Sequence, residues 1–129
     1  MTPLETFHAW QECMAAGDWA RMGEVVDLDG YTEICLGLTD WTTGFAAAFA
    51  NYRKNMIDPW ADLQMREEDV VEGADAVAVR LPIEATHVGP FLGIRPTGRR
   101  IGYDISIVRV WDGRVVGQWV QSDLWAIHR

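Results

Sequence analysis

His87, Asp104 and Asp123 are the polar side chains of this chain whose types and positions best suit chemistry. His87 follows Val77, Val79, Leu81, Ile83 and Ala85 on one parity of an alternating run, so its ring shares the apolar face of a strand. A neutral imidazole there could act as a general base or hydrogen-bond a substrate oxygen. The competing reading is a histidine that holds the loop after it. Asp104 lies between Tyr103 and Ile105, on the parity of Ser106, Val108 and Val110. On a buried face it would need a partner such as Arg80 or Arg109. On a solvent face it would be ordinary, and a one-residue slip of register exchanges the two cases. Asp123 ends the last strand-like run. In apolar surroundings its carboxylate could take a proton from carbon next to a carbonyl. As a strand end it would be solvated, or would cap Leu124-Trp125-Ala126. Tyr31, Tyr52 and Tyr103 add hydroxyls able to donate to an enolate oxygen, although buried tyrosines commonly satisfy that group while packing. Arg95, Arg99 and Arg100 could draw an anionic substrate or pair with local carboxylates.

Other chemistries lack their residues. The sequence holds no G-x-S-x-G elbow, no G-x-x-x-x-G-K phosphate loop and no G-x-G-x-x-G fingerprint. His8, His87 and His128 lack metal-ligand spacing. The expectation is therefore no cofactor and no metal. The net charge of −8 disfavours nucleic acid and anionic membrane as partners. No apolar run approaches the ~20 residues that span a bilayer. The N-terminus lacks the pattern of a signal peptide, and Cys13 and Cys35 form no C-x-x-C motif, so a cytoplasmic setting is expected. Seven tryptophans suit a core, a dimer interface or a pocket for a flat ligand.

The elements that position these groups follow from local signals. Thr2-Pro3-Leu4-Glu5 reads as a capping box opening a helix, with Phe7, Trp10 and Met14 on one face and Gly17 ending it. Asp18 can cap a short second helix through about Val25. Tyr31 to Leu36 is strand-like, and Thr39 or Asp40 should cap a third helix over about Thr43 to Met56. Strands are expected over Leu63 to Glu72, from Val77 onward through His87, over Ile101 to Trp111, and from Arg114 to about Asp123. Pro82 argues for an edge or a bulge in the second of these. Asp112-Gly113 between the last two predicts a type I′ hairpin. Helices first and antiparallel strands after make one α+β domain over residues 1–129.

The run Thr86-His87-Val88-Gly89-Pro90-Phe91-Leu92-Gly93-Ile94-Arg95-Pro96-Thr97-Gly98-Arg99-Arg100 resembles the signature of the SnoaL-like polyketide cyclases. Asp112-Gly113-Arg114-Val115, Trp119 and Asp123 extend the likeness, and weaker agreement runs upstream through Met56-Ile57-Asp58. The resemblance implies a cone-shaped α+β barrel, with three N-terminal helices packed on a curved, mostly antiparallel sheet and an apolar lining. It relates the chain to ketosteroid isomerase and nuclear transport factor two, and it implies a homodimer through the outer sheet face. Its activity would be cofactor-free chemistry on a small hydrophobic, polyketide-like carbonyl compound: isomerisation, dehydration or cyclisation. The family's acid/base aspartate falls on Val120 and a pocket histidine near Ser106, whereas Asp123 and His87 carry over. The expected catalytic set is thus His87, Asp104 and Asp123, with Tyr52, Tyr103, Ser106, Trp119 and Val120 against the ligand. A non-catalytic binding or dimerisation module and a hydroxylase-like relative are the alternatives.

Overall fold

A computed structural model describes residues 1–103 and 106–122. Helix α1 spans Pro3–Ala16 and opens on the capping box read from the sequence: the Glu5 N–H donates to Thr2 Oγ1 at 3.1 Å, and the Thr2 N–H to Glu5 Oε1 at 2.9 Å. Gly17 closes it with φ of 63°, the left-handed conformation in which a residue without Cβ is least strained. Asp18 caps α2, Trp19–Val25, by accepting the Arg21 N–H. Helix α3 is shorter than its pattern predicts. Thr42–Thr43 pair with β1 (Thr32–Leu36) as a two-residue strand, β2, because β-branched residues suit an extended edge. The helix then starts behind Gly44 and spans Phe45–Tyr52. It runs on into one π turn, Arg53–Ile57.

The remaining strands are β3 (Trp60–Met65), β4 (Glu68–Glu72), β5 (Ala76–Arg80), β6 (Ile83–His87), β7 (Arg100–Tyr103), β8 (Ser106–Trp111) and β9 (Arg114–Gln121). They hydrogen-bond as a six-stranded sheet, β2-β1-β9-β8-β5-β4, and a three-stranded sheet, β3-β6-β7. The β1–β9 pair is parallel and the others are antiparallel.

The same three chain segments build both sheets in the same lateral order. Residues 60–72, 76–87 and 100–111 each cross from one sheet to the other. The register runs from Val79↔Ser106 to Ile83↔Tyr103 on one side, and from Glu68↔Arg80 to Met65↔Ile83 on the other. Each of the three long strands expected from the sequence is thus divided into two shorter ones, one in each sheet. Pro82 sits at the corner, where its missing N–H breaks no ladder, and its carbonyl accepts the Arg66 N–H at 3.0 Å. The Asp112-Gly113 hairpin has φ of 52° and 73°, as a type I′ turn requires.

Helix α1 lies against β5, β8 and β9, and α3 against β1 and β2. The main core joins Phe7, Trp10 and Cys13 of α1 to Tyr31, Phe45, Val77, Val79, Val108 and Val115. Its aromatic centre is edge-on: Trp10–Tyr31 at 6.2 Å, Trp10–Phe45 at 6.5 Å and Tyr31–Phe45 at 5.4 Å between centroids. A second, smaller cluster of Trp60, Ala85 and Phe91 sits behind the bend.

Candidate functional site

Where the bent sheet curls under the helices it leaves a cavity of about 130 Å³. That is close to the ~150 Å³ of an apolar cavity that takes up benzene. Trp10, Gln11 and Met14 of α1, Phe45, Ala48, Phe49, Asn51 and Tyr52 of α3, and Asn55 and Met56 of the π turn line one side. π turns inserted in helices recur at functional sites. Leu63, Met65, Leu81 and Ile83 close the bent end. Leu63 and Met65 are also exposed to solvent, so the cavity reaches the surface there.

The back wall is the parallel pair β1–β9. Strand alternation points Glu33 and Cys35 inward, and the register sets Gln118 beside Glu33 and Val120 beside Cys35, with Ser122 next on the same parity. Glu33 is buried, with 5% of its surface exposed, and is the one ionisable carboxylate in the lining among the described residues. No Lys, Arg or His lines the cavity among the described residues.

The hydrogen bonds of this wall converge on Glu33. The Tyr31 hydroxyl and the Gln118 Nε2 amide both donate to Oε1, each at 2.6 Å. The Cys35 thiol approaches Oε2 at 3.6 Å. Such short bonds are typical of donors to a carboxylate. Burial, and then the Glu33 charge, push the Tyr31 phenol far above its usual range and the Cys35 thiol up to about 12. Burial also raises the Tyr52 phenol. All three groups are therefore protonated donors at neutral pH.

The residues singled out from the sequence are placed differently from one another. Tyr52 and Val120 line the cavity; Trp119 has the opposite parity on β9, pairs with Ile34 and Ile107, and does not line it. The backbone register sets Ser106 opposite Val120, so the two positions where the resemblance places cyclase groups are cross-strand neighbours at this wall. For Ser106 and Tyr103 only the backbone is described. Asp104 and Asp123 lie outside the described residues. The arginines suggested for Asp104 bond elsewhere as well: Arg80 with Glu68 and Asp69 at 2.6 and 2.8 Å, and Arg109 with Thr32 Oγ1 at 3.0 Å.

His87 is fully buried, yet it is not part of the cavity lining. Its ring packs on Trp60 at 5.1 Å. Nδ1 accepts the Thr97 N–H at 3.3 Å, with the Thr97 hydroxyl at 3.1 Å, so the proton of the neutral ring belongs on Nε2, which has no partner among the described residues. Its own N–H and carbonyl bond to Arg99 and Gly98. His87 thus ties together the two ends of the Gly/Pro loop, whose tip is a small hairpin with paired Phe91 and Ile94. Arg100 reaches Thr86, the Asp62 carbonyl and Glu84, while Arg95 and Arg99 are exposed.

Glu33, Cys35, Gln118 and Asn55 are cavity residues that the sequence reading did not single out. The signal for Glu33 was present: it shares parity with Tyr31 and Cys35 in a strand-like run, an odd place for a carboxylate unless that face is held by partners.

The sequence matches the family described as SnoaL-like polyketide cyclase over residues 5–129, and the chain belongs to that family. No curated protein matches it. Solved structures similar to it include IdmH, a proposed polyketide cyclase from Streptomyces antibioticus, with 25% identity and a TM-score of 0.78 over 99% of this chain and 96% of IdmH. A SnoaL-like polyketide cyclase from Agrobacterium tumefaciens is 20% identical, with a TM-score of 0.77 over 100% of this chain and 97% of the other. AclR, a proposed hydroxylase from Streptomyces galilaeus, is 22% identical, with a TM-score of 0.72 over 98% of this chain and 80% of AclR. The latter two likenesses show the shared α+β fold.

Proposed function

We propose that this chain binds a small, uncharged, largely apolar carbonyl compound of polyketide-like character in the cavity, and catalyses proton transfer on it without a cofactor. Isomerisation, dehydration and cyclisation are the reactions of that class. The observation that carries the reading is the lining: aromatic and aliphatic side chains around a buried carboxylate, Glu33. Apolar walls with a few convergent polar groups are the pattern of small-molecule sites. A carboxylate with no cation beside it among the described lining residues repels anions, which selects an uncharged ligand. Family membership supports the same class of ligand.

The test uses 1-tetralone, an uncharged bicyclic ketone with exchangeable protons next to its carbonyl. At ~100 times its Kd it should stabilise the protein by about 2.7 kcal/mol, read as a rise in Tm. Val120→Phe and Ala48→Leu, which fill the cavity, should abolish that rise, and a carboxylated tetralone should bind far more weakly. Binding that survives both filling substitutions would place the ligand elsewhere and end this reading. Binding without hydrogen–deuterium exchange at the ketone would instead favour a non-catalytic binding module.

We also propose a homodimer in a reducing, cytoplasmic setting. The outer sheet face supports the first: Ile34, Trp119, Ile107, Ala78 and Val71 are successive cross-strand neighbours, an apolar row with Val71 66% exposed. The free thiols of Cys13 and Cys35 support the second.

A further inference from the structure

We infer that Glu33 is the acid/base of this site, with Tyr31 and Gln118 as its positioning residues, acting on an uncharged substrate whose C–H bond is activated by a neighbouring carbonyl. The inference rests on the proposed function above and assigns the group that would move the proton.

The geometry separates the two oxygens of Glu33. Oε1 accepts from both Tyr31 Oη and Gln118 Nε2 at 2.6 Å, and an oxygen that receives two donors carries no proton. Oε2 is approached by the Cys35 thiol at 3.6 Å, a weak donor at long range, and is the oxygen left for a substrate proton. The carboxyl is thereby clamped along one edge and available along the other, in a wall of the cavity. The neighbouring donors do not compete for the role: the Tyr31 phenol and the Cys35 thiol are both held in their protonated forms by burial beside this carboxylate. The backbone reinforces the placement. Glu33 is paired on one side with Gln118 of β9 and on the other with Thr42 of β2, so its Cα lies between two hydrogen-bonded strands.

The step balances without a co-reactant. Glu33 Oε2 takes the proton, the C–H electron pair moves into the carbonyl as an enolate, and Glu33 returns the proton at another carbon when the enolate collapses. Tyr52, protonated and in the lining, is a hydroxyl donor on the helix side of the same cavity.

The experiment needs no knowledge of the natural substrate. 5-Nitrobenzisoxazole is uncharged, flat and apolar. A base that removes its C–H proton sends the electron pair into a nitrile as the N–O bond breaks, releasing a coloured phenolate. The full-length protein should accelerate this reaction over acetate, with a rate that rises with pH as one carboxyl ionises. Glu33→Gln, whose amide oxygen still accepts from Tyr31 and Gln118, should lower the rate by ~10²–10⁴-fold while probe binding, followed by NMR, is unchanged. Gln118→Leu, which removes one of the two donors that hold Oε1, should lower kcat while KM for the probe stays in place; a merely structural role would leave kcat in place. If Glu33→Gln does not fold, Glu33→Asp decides the matter: it keeps the ionisation profile at a reduced rate. A probe that binds but turns over equally in wild type and Glu33→Gln overturns Glu33 as the base and leaves the cavity reading intact. A probe that does not bind the wild-type cavity overturns both.

Discussion

Cys35 shares a cavity wall with a buried carboxylate, and that neighbour decides its reactivity. Burial first, and the Glu33 charge second, push the thiol up to about 12, so almost none of it is thiolate at the ~8.5 where a free cysteine is half ionised. Iodoacetamide should therefore leave Cys35 of the native Cys13→Ala protein unlabelled at that pH and label it promptly after unfolding in urea. Fast labelling of the native protein would contradict the half-buried placement beside Glu33. The same shift sets a direction for stability. The folded state holds the Cys35 proton more tightly than the unfolded chain does. Its contribution is complete below the free-thiol range and is lost as pH climbs toward about 12. Tyr31 acts in the same sense, since burial and Glu33 raise it too. Chemical denaturation at increasing alkaline pH should show stability falling, and Glu33→Gln should weaken that dependence by removing the charge that opposes both ionisations.

At the scale of elements, the wall that carries Glu33 depends on how closely β1 and β9 approach. Gly117 lies opposite Thr32, where a Cβ would collide with the Thr32 carbonyl and crowd its hydroxyl and the Arg109 guanidinium. Gly117→Ala should cost about 1–3 kcal/mol, as overpacking does, and should lower the urea midpoint without altering the slope. No loss of stability would contradict the close approach of Gly117 to the Thr32 carbonyl. The ends of α1 and the Asp112-Gly113 hairpin were legible in the sequence because their signals are short-range: a cap bonds its own first turn, and a I′ turn needs only two positive φ angles. The start of α3 was not legible, since Thr42 and Thr43 pair with Glu33 and Thr32 of β1, earlier in the chain. Nor was the corner that splits three long strands between two sheets, apart from the hint of Pro82. Curvature of a sheet is a property of several strands together.

For the whole molecule, the outer face of the six-stranded sheet is the surface still to be covered. Its apolar row crosses five adjacent strands, and Ile107 and Val71 on it are 39% and 66% exposed. A second copy presenting the same row would cover it in a symmetric, self-complementary contact. Analytical ultracentrifugation should find a dimer, and Trp119→Arg combined with Ile107→Lys should shift it to monomer while 1-tetralone binding persists, because the cavity opens on the other face. A monomeric wild type across micromolar concentrations would remove the homodimer proposal. No described helix is long and apolar enough to cross a membrane.

The sequence by itself determined the α+β class, the ends of α1 and α2, the strand parities and, through the Gly/Pro run and the D-G hairpin, the family. These depend on neighbours within a few residues, or on a pattern repeated along one strand. Which polar groups share a cavity was decided only in three dimensions. His87 has the apolar parity expected of a pocket residue, yet the bend at Pro82 carries β6 into the second sheet, where the ring packs on Trp60 and Nδ1 binds Thr97. Glu33 signalled itself only by sharing the parity of Tyr31 and Cys35 in a short strand. It becomes a carboxylate of the cavity wall because β9, more than eighty residues later, pairs with β1 in parallel and brings Gln118 to its side. Parity tells which side chains share a face, but only the folding of several strands over the helices decides which face encloses a cavity.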